Sequence, residues 1–304
     1  MQRRNIYASV ALDRVSHLRE DAAWLAARLA DPGSRLLPVW QSRSFVALGE
    51  PALAALPASC CIDLQNGDEA PVLLGVIDDQ AWFAVDVSHI ETPDAHAALA
   101  GAGFFEDLRR VGPTLGEVDG HLLAYARGIT YWHQRHRFCG SCGAPTRAAQ
   151  AGHVRRCTDP ACDAQHFPRT DCAMIVLVHH DDHCILARAD RFPPGMKSVL
   201  AGFLEPGESL EDCVRREVYE EVKVRVDDVQ YQHSQPWPFP SSLMVGFRAR
   251  AVDTELRPDN VEVKEAQWYS RAELRRLGPQ SDLKLPRGDS IASRLITEWL
   301  TEDG

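Results

Sequence analysis

Glu217, Glu220 and Glu221 stand at i, i+3 and i+4 in the run GFLEPGESLEDCVRREVYEEVKV that starts at Gly202, so a helix there carries three carboxylates on one face. Three like charges weaken an unaided helix. A divalent cation that prefers oxygen relieves them, and Mg²⁺ also brings substrate phosphates with it. Ser209 reads as the helix N-cap, with Asp212 in the following turn. Leu210, Cys213, Val214, Val218 and Val222 supply a buried side. Arg216 is placed to orient a carboxylate by a bidentate pair, and Glu208 can do so from the loop. The alternative is a solvated, glutamate-rich surface helix.

A second chemical group lies upstream. Cys139-x2-Cys142 and Cys157-x4-Cys162 are two close pairs, the pattern of a structural zinc ribbon or knuckle. Gly140 and Gly143 permit the tight turn that points two thiolates inward. Four free or disulfide-bonded cysteines, or a mixed site using His153 or His166, are the other readings. Three histidines at 179, 180 and 183 read as a solvated hairpin tip.

The third group is Ser234-Gln235-Pro236-Trp237-Pro238-Phe239-Pro240, followed by Ser242. Three prolines exclude a helix or a central strand. The expectation is a stiff loop that presents Trp237 and Phe239 as flat faces for a nucleobase or nicotinamide ring. An ordinary buried proline–aromatic corner is the competing reading.

In this order, ribbon, carboxylate helix and SQPWPFP, the chain resembles the NADH pyrophosphatase (NAD-capped RNA hydrolase) family of Nudix hydrolases, over roughly residues 120 to 300. It departs from the Nudix box at Lys223, where a glycine suited to a left-handed helix end is usual; Lys there is strained, or the helix ends differently. The resemblance implies an α+β chain: an α/β/α Nudix sandwich, a zinc ribbon and a separate N-terminal α/β domain. It implies Mg²⁺ or Mn²⁺ on Glu217, Glu220, Glu221 and a distant Glu265, with Glu262 as the rival, and one Zn²⁺ on Cys139, Cys142, Cys157 and Cys162. Catalysis falls to Glu217, Glu220, Glu221, Glu265 and Arg216. For substrate binding it points to Phe167, Ala201, Phe203, Gln235, Trp237, Ser242 and Ala292, with Phe167 serving the site of a second copy in a homodimer. The activity implied is cleavage of NAD(H) to nicotinamide mononucleotide and AMP, and removal of NAD caps from RNA 5′ ends. A Nudix hydrolase of ADP-ribose or another nucleoside diphosphate derivative, or a non-catalytic sensing module, are the alternatives.

Elements must hold these groups in place. Strands are expected at 34–40, 44–48, 72–77 and 81–86, with Asp78-Asp79-Gln80 as a hairpin turn. Helices are expected at 18–30 and 93–100, and Leu115, Val118, Leu122, Tyr125, Ile129 and Trp132 recur at helical steps through a connector from Leu115 to His133. Beyond the ribbon come strands at 173–178, 184–188, 198–202, 226–233, 243–252 and 265–269, and a last helix at 290–300. Three regions follow: 1–112, 113–168 and 169–304. No internal repeat is evident. The 304 residues carry a formal charge of −10, which argues against a general nucleic-acid binder. Nine cysteines, no apolar leader and no stretch of transmembrane length lead to the expectation of a reducing, cytoplasmic setting. Cys60, Cys61, Cys172, Cys184 and Cys213 are read as core.

Overall fold

Strand β10 (Asp171–His180) is apolar at consecutive positions, and both of its faces are covered. Met174, Val176 and Val178 face one core, Ile175 and Leu177 the other. This and the other elements belong to a computed structural model that describes residues 4–49, 51–67 and 69–302, so the first three residues of the start lie outside it. The chain forms two compact units, Met1–Thr170 with Trp237–Ser241, and Asp171–Pro236 with Ser242–Gly304.

The first unit holds β1 (Arg35–Trp40), β2 (Arg43–Val46), β3 (Leu56–Pro57), β4 (Val72–Ile77), β5 (Gln80–Asp86) and β6 (Phe104–Glu106). They form one sheet in the order β4-β5-β1-β2-β6, with β3 also on β1. Only β1 and β5 run parallel within it. Helix α1 (Ala22–Ala30) and the single turn α2 (Cys61–Leu64) cover one face with Leu25 and Leu64. After α3 (Leu108–Val111), the connector α4 (Glu117–Arg135) covers the other with Leu122, Leu123, Ala126 and Ile129. The expected helix at 93–100 is a short 3₁₀ turn at Pro93–Ala95, because His96 is extended. The expected helix at 18–30 begins at Ala22, capped by Asp21.

The ribbon is a three-stranded sheet, β7 (Thr146–Ala149), β8 (Val154–Cys157) and β9 (Gln165–His166). Arg155 on β8 is buried and pins it: the guanidinium grips Glu69 at 3.1 and 2.8 Å and donates to His133 Nδ1 on α4 at 2.9 Å.

The second unit holds β10, β11 (His183–Arg188), β12 (Leu200–Phe203), β13 (Val226–Trp237), β14 (Ser242–Ala251) and β15 (Glu265–Ser270). Trp237, the end of β13, clusters with the first unit. The sheet order is β13-β14-β10-β11-β15, with β12 also on β10, and β10–β14 is the parallel pair. Helix α5 (Leu210–Val222) covers one face; α6 (Arg271–Arg275) and α7 (Ile291–Thr301) cover the other. This is the α/β/α sandwich expected.

Strand for strand, in chain order, the plan of the second unit repeats that of the first. The difference is at the helix after the third strand, four residues in α2 and thirteen in α5. The repeat is one of topology, which the sequence did not disclose. Among the described residues no helix is long and apolar enough to cross a membrane.

Candidate active site

Helix α5 starts where its N-cap predicts: the Ser209 hydroxyl accepts from Asp212 N–H at 3.1 Å. It ends on Lys223, which is left-handed at φ 60°, so the strained alternative is the one the chain adopts. Cys213, Val214, Val218 and Val222 are buried as expected, and Leu210 packs beside them.

On the opposite side Arg216 organises the carboxylates. It holds Glu208 by a bidentate pair at 2.5 and 2.9 Å and reaches Glu217 and Glu220 at 3.0 Å each. It also donates to Phe203 O at 3.0 Å, tying helix to β12. Arg216 drives the Glu208 carboxyl down to about 2, and Glu208 in turn raises the guanidinium. With its guanidinium spread over four acceptors, Arg216 leaves Glu221 without a cation at hydrogen-bond distance.

Gly202 on β12 is required by Glu217. A Cβ built on Gly202 would lie 1.9 Å from the Glu217 carboxyl carbon. The carboxylate therefore occupies the space of a missing side chain, and burial raises its pKa.

Glu221 is only 6% exposed, and its Oε2 is buried without a hydrogen-bond partner among the described residues. Burial first, then the charges of Glu217, Glu262 and Asp259, push it up to about 8. A loop closes over it. Arg257 N–H donates to Val222 O at 2.9 Å and Asp259 N–H to Glu221 O at 3.0 Å. Asp259 then folds the next turn by accepting from the N–H groups of Val261, Glu262 and Val263. An acidic group of side chains with an orphaned, buried carboxylate oxygen fits a hard divalent cation.

The charge of Glu262 adds to the upward shift of both Glu217 and Glu221. Glu265 is engaged elsewhere: on β15 it pairs with Arg188 at 3.2 Å and Lys197 at 3.3 Å, which lower its pKa. The resemblance points to Glu265, with Glu262 as the rival.

The other candidates scatter. Phe203 is exposed, and its carbonyl accepts from Arg216. Ala292, on α7, is buried in the core on that face of the sheet, and Ala201 packs against the same core. Gln235 is fully buried; its amide donates to Asp289 O at 2.9 Å and accepts from Ile291 N–H at 2.8 Å, fixing the start of α7. Ser242 is buried at the start of β14. Phe167 is exposed on the first unit.

The proline–aromatic loop is not the open platform expected. Residues 237–241 belong to the first unit, where Phe239 is buried. Trp237 and Tyr7 meet Phe239 edge-on at 5.0 and 6.0 Å, and Arg109 and Arg127 lie over its ring at 4.2 and 4.9 Å. Trp237 is half-buried and meets Tyr7 edge-on at 6.4 Å.

The four ribbon cysteines converge, with all sulfurs within 4.8 Å of one another. Cys139–Cys162 and Cys142–Cys157 are separated by 3.8 and 3.5 Å, near the ~3.8 Å spacing of thiolates around a tetrahedral zinc ion. All four are free thiols, which sets the disulfide reading aside. His166 donates to Cys139 Sγ at 3.3 Å, the supporting contact a thiolate ligand needs, while His153 is turned away to Leu73 O at 2.7 Å.

Three family models match the chain: a NADH pyrophosphatase-like rudimentary NUDIX domain over residues 33–132, a NADH pyrophosphatase zinc ribbon domain over 134–167 and a NUDIX domain over 168–289. Among curated proteins, the NAD-capped RNA hydrolase NudC of Stutzerimonas stutzeri (strain A1501) is 41% identical over 239 residues, covering 76% of this chain and 79% of that one. NudC of Mycobacterium bovis is 37% identical, covering 97% and 94%. The NAD-capped RNA hydrolase NUDT12 of Homo sapiens is 33% identical, covering 97% and 73%. Among solved structures, a NUDIX hydrolase from Nitrosomonas europaea is 24% identical with a TM-score of 0.39, covering 54% of this chain and 88% of that one.

Proposed function

We propose, for a chain that belongs to the NAD-capped RNA hydrolase family of zinc-ribbon NUDIX enzymes, hydrolysis of the NAD(H) pyrophosphate and removal of NAD from capped RNA 5′ ends. The buried, unpartnered Glu221 oxygen beside Glu217 carries the assignment of the site. Glu217, Glu220, Glu221 and Glu262 would hold Mg²⁺ or Mn²⁺. When bound, the cation neutralises phosphate charge and lowers the pKa of water. The chain's own part is positional. Gly202 leaves the room that Glu217 fills, and Arg216 with Glu208 keeps the Glu217 and Glu220 carboxylates oriented. Arg216 itself is saturated by carboxylates, so it orients ligands and does not meet the substrate. Exposed Phe203 offers a ring face, and Gln235 acts through α7. Structural zinc sits on the four ribbon cysteines. Phe138 and Phe167 are 66% and 63% exposed, large apolar groups that a second copy of the chain would cover, which supports a homodimer.

The test is product analysis of NADH, NAD⁺, ADP-ribose and an NAD-capped RNA incubated with the protein and either metal, with Glu221→Gln as control. Reduced nicotinamide mononucleotide plus AMP from NADH, absent in the variant, upholds the reading. Cleavage of ADP-ribose alone, or normal turnover by the variant, overturns it. Light scattering that finds a fully active monomer removes the dimer.

A further inference from the structure

The chain carries a formal charge of −10, yet one place on the first unit brings two arginines together around a tyrosine and two buried histidines. Arg14 lies over the Tyr125 ring at 4.2 Å. Arg19 donates to Arg14 O at 3.4 Å, which holds the two arginines together. Among the described residues neither guanidinium has a carboxylate within salt-bridge distance. The buried rings of His121 and His153 flank Tyr125 at 6.3 and 6.2 Å. Each imidazole is anchored by one nitrogen to a backbone carbonyl, His121 to Tyr7 and His153 to Leu73. The group is therefore fixed by α4, the ribbon hairpin and the segment before α1.

We propose that Arg14, Arg19 and the Tyr125 hydroxyl form an anion-binding site that takes a phosphate group. The exposed Arg14 and the partly buried Arg19, neither with a carboxylate at salt-bridge distance among the described residues, repel each other, and a dianion that accepts from both removes that repulsion. Guanidinium forks match phosphate oxygens, and a phenol adds a neutral donor. The electrostatics around the group agree. Burial, then the Arg14 charge, lowers Arg19 against a contribution from Tyr125. Arg14 and Arg19 both lower His153 beyond what burial does. Glu117, which acts on His121, is paired with Arg4 at 3.2 Å, and the neighbouring acids Asp13 and Glu20 are engaged by Val15 N–H at 2.9 Å and the Gln150 amide at 3.0 Å. The site lies within the first unit and owes nothing to the reading of the carboxylate helix.

The ligand is a phosphate, either free or in a nucleic-acid backbone. Calorimetric titration of the full-length, zinc-loaded protein with inorganic phosphate and, separately, with a short 5′-hydroxyl single-stranded RNA separates the two sources. Arg14→Gln combined with Arg19→Gln should weaken whichever ligand binds by at least ~10-fold, with NADH turnover unchanged. Should that variant fold poorly, Tyr125→Phe keeps the ring packing and should weaken binding several-fold. No binding of either ligand by the wild type, or equal affinity in both variants, overturns the site.

Discussion

Gly202→Ala isolates the position of one carboxylate from the stability of the fold. The new Cβ would sit 1.9 Å from the Glu217 carboxyl carbon, and ordinary contact begins at 3.4 Å, so the carboxylate must retreat by about 1.5 Å. It is the free end of a flexible side chain, so the backbone need not move. Gly202 lies within β12, where alanine is no worse than glycine for strand formation. Stability should therefore stay within ~1 kcal/mol by urea unfolding. Activity should not. A displacement of ~1 Å at a reacting centre costs on the order of 100-fold, about 2.7 kcal/mol of transition-state stabilisation. The assay is initial-rate hydrolysis of NADH over a series of Mg²⁺ concentrations, with a higher Mg²⁺ requirement expected alongside the lower rate. A Gly202→Ala enzyme with normal stability and kcat/KM within threefold of wild type would refute the placement of Glu217 as a ligand.

Three further outcomes follow from the same geometry. Without a divalent cation, Glu221 is raised from 4.5 to about 8, so the folded state binds more protons than the unfolded one across that interval. Thermal stability in Mg²⁺-free buffer should fall as pH rises from about 4.5 to about 8, and Glu221→Gln should flatten the slope; a wild-type profile that is already flat sinks the argument. Glu262→Gln should lower the Mg²⁺-dependent rate more than ~10-fold, while Glu265→Gln, which only frees Arg188 and Lys197, should cost less; rates in the reverse order would restore Glu265 as a ligand. Lys223→Gly should stabilise by ~1 kcal/mol in urea, because φ 60° suits glycine and the lost Lys223–Tyr219 ring contact is exposed. A destabilised variant would show that the contacts of this lysine outweigh its strain.

What the sequence discloses is what local periodicity controls. The buried side of α5, its Ser209 cap and the Arg216–Glu208 pair follow from spacing within a few turns. The burial of Glu221 does not, because its cover comes from Arg257 and Asp259, more than thirty residues on. The ion pairs that Glu265 makes with Arg188, its cross-strand neighbour, and with Lys197 are likewise long-range in sequence and lie beyond what spacing discloses. The helix expected at 93–100 is overruled by an extended His96. Phe239 looked like a presented ring because prolines exclude regular structure, a rule that says nothing about burial. The repeated strand plan escaped notice because topology follows apolar alternation, which unrelated residues satisfy equally well.

The discontinuous first unit carries a consequence for synthesis. Phe239 packs with Tyr7 in its core, and Arg127 donates to Pro238 O. A ribosome making this chain delivers residues 1–170 well before that ring exists. The amino-terminal unit must therefore wait, its core unplugged and Arg109 and Arg127 facing a vacancy, until about seventy more residues emerge. Order of translation and order of completion differ, and a fragment ending at Thr170 should behave as an unfinished domain, prone to bind chaperones or aggregate, until a peptide supplying residues 237–241 is added.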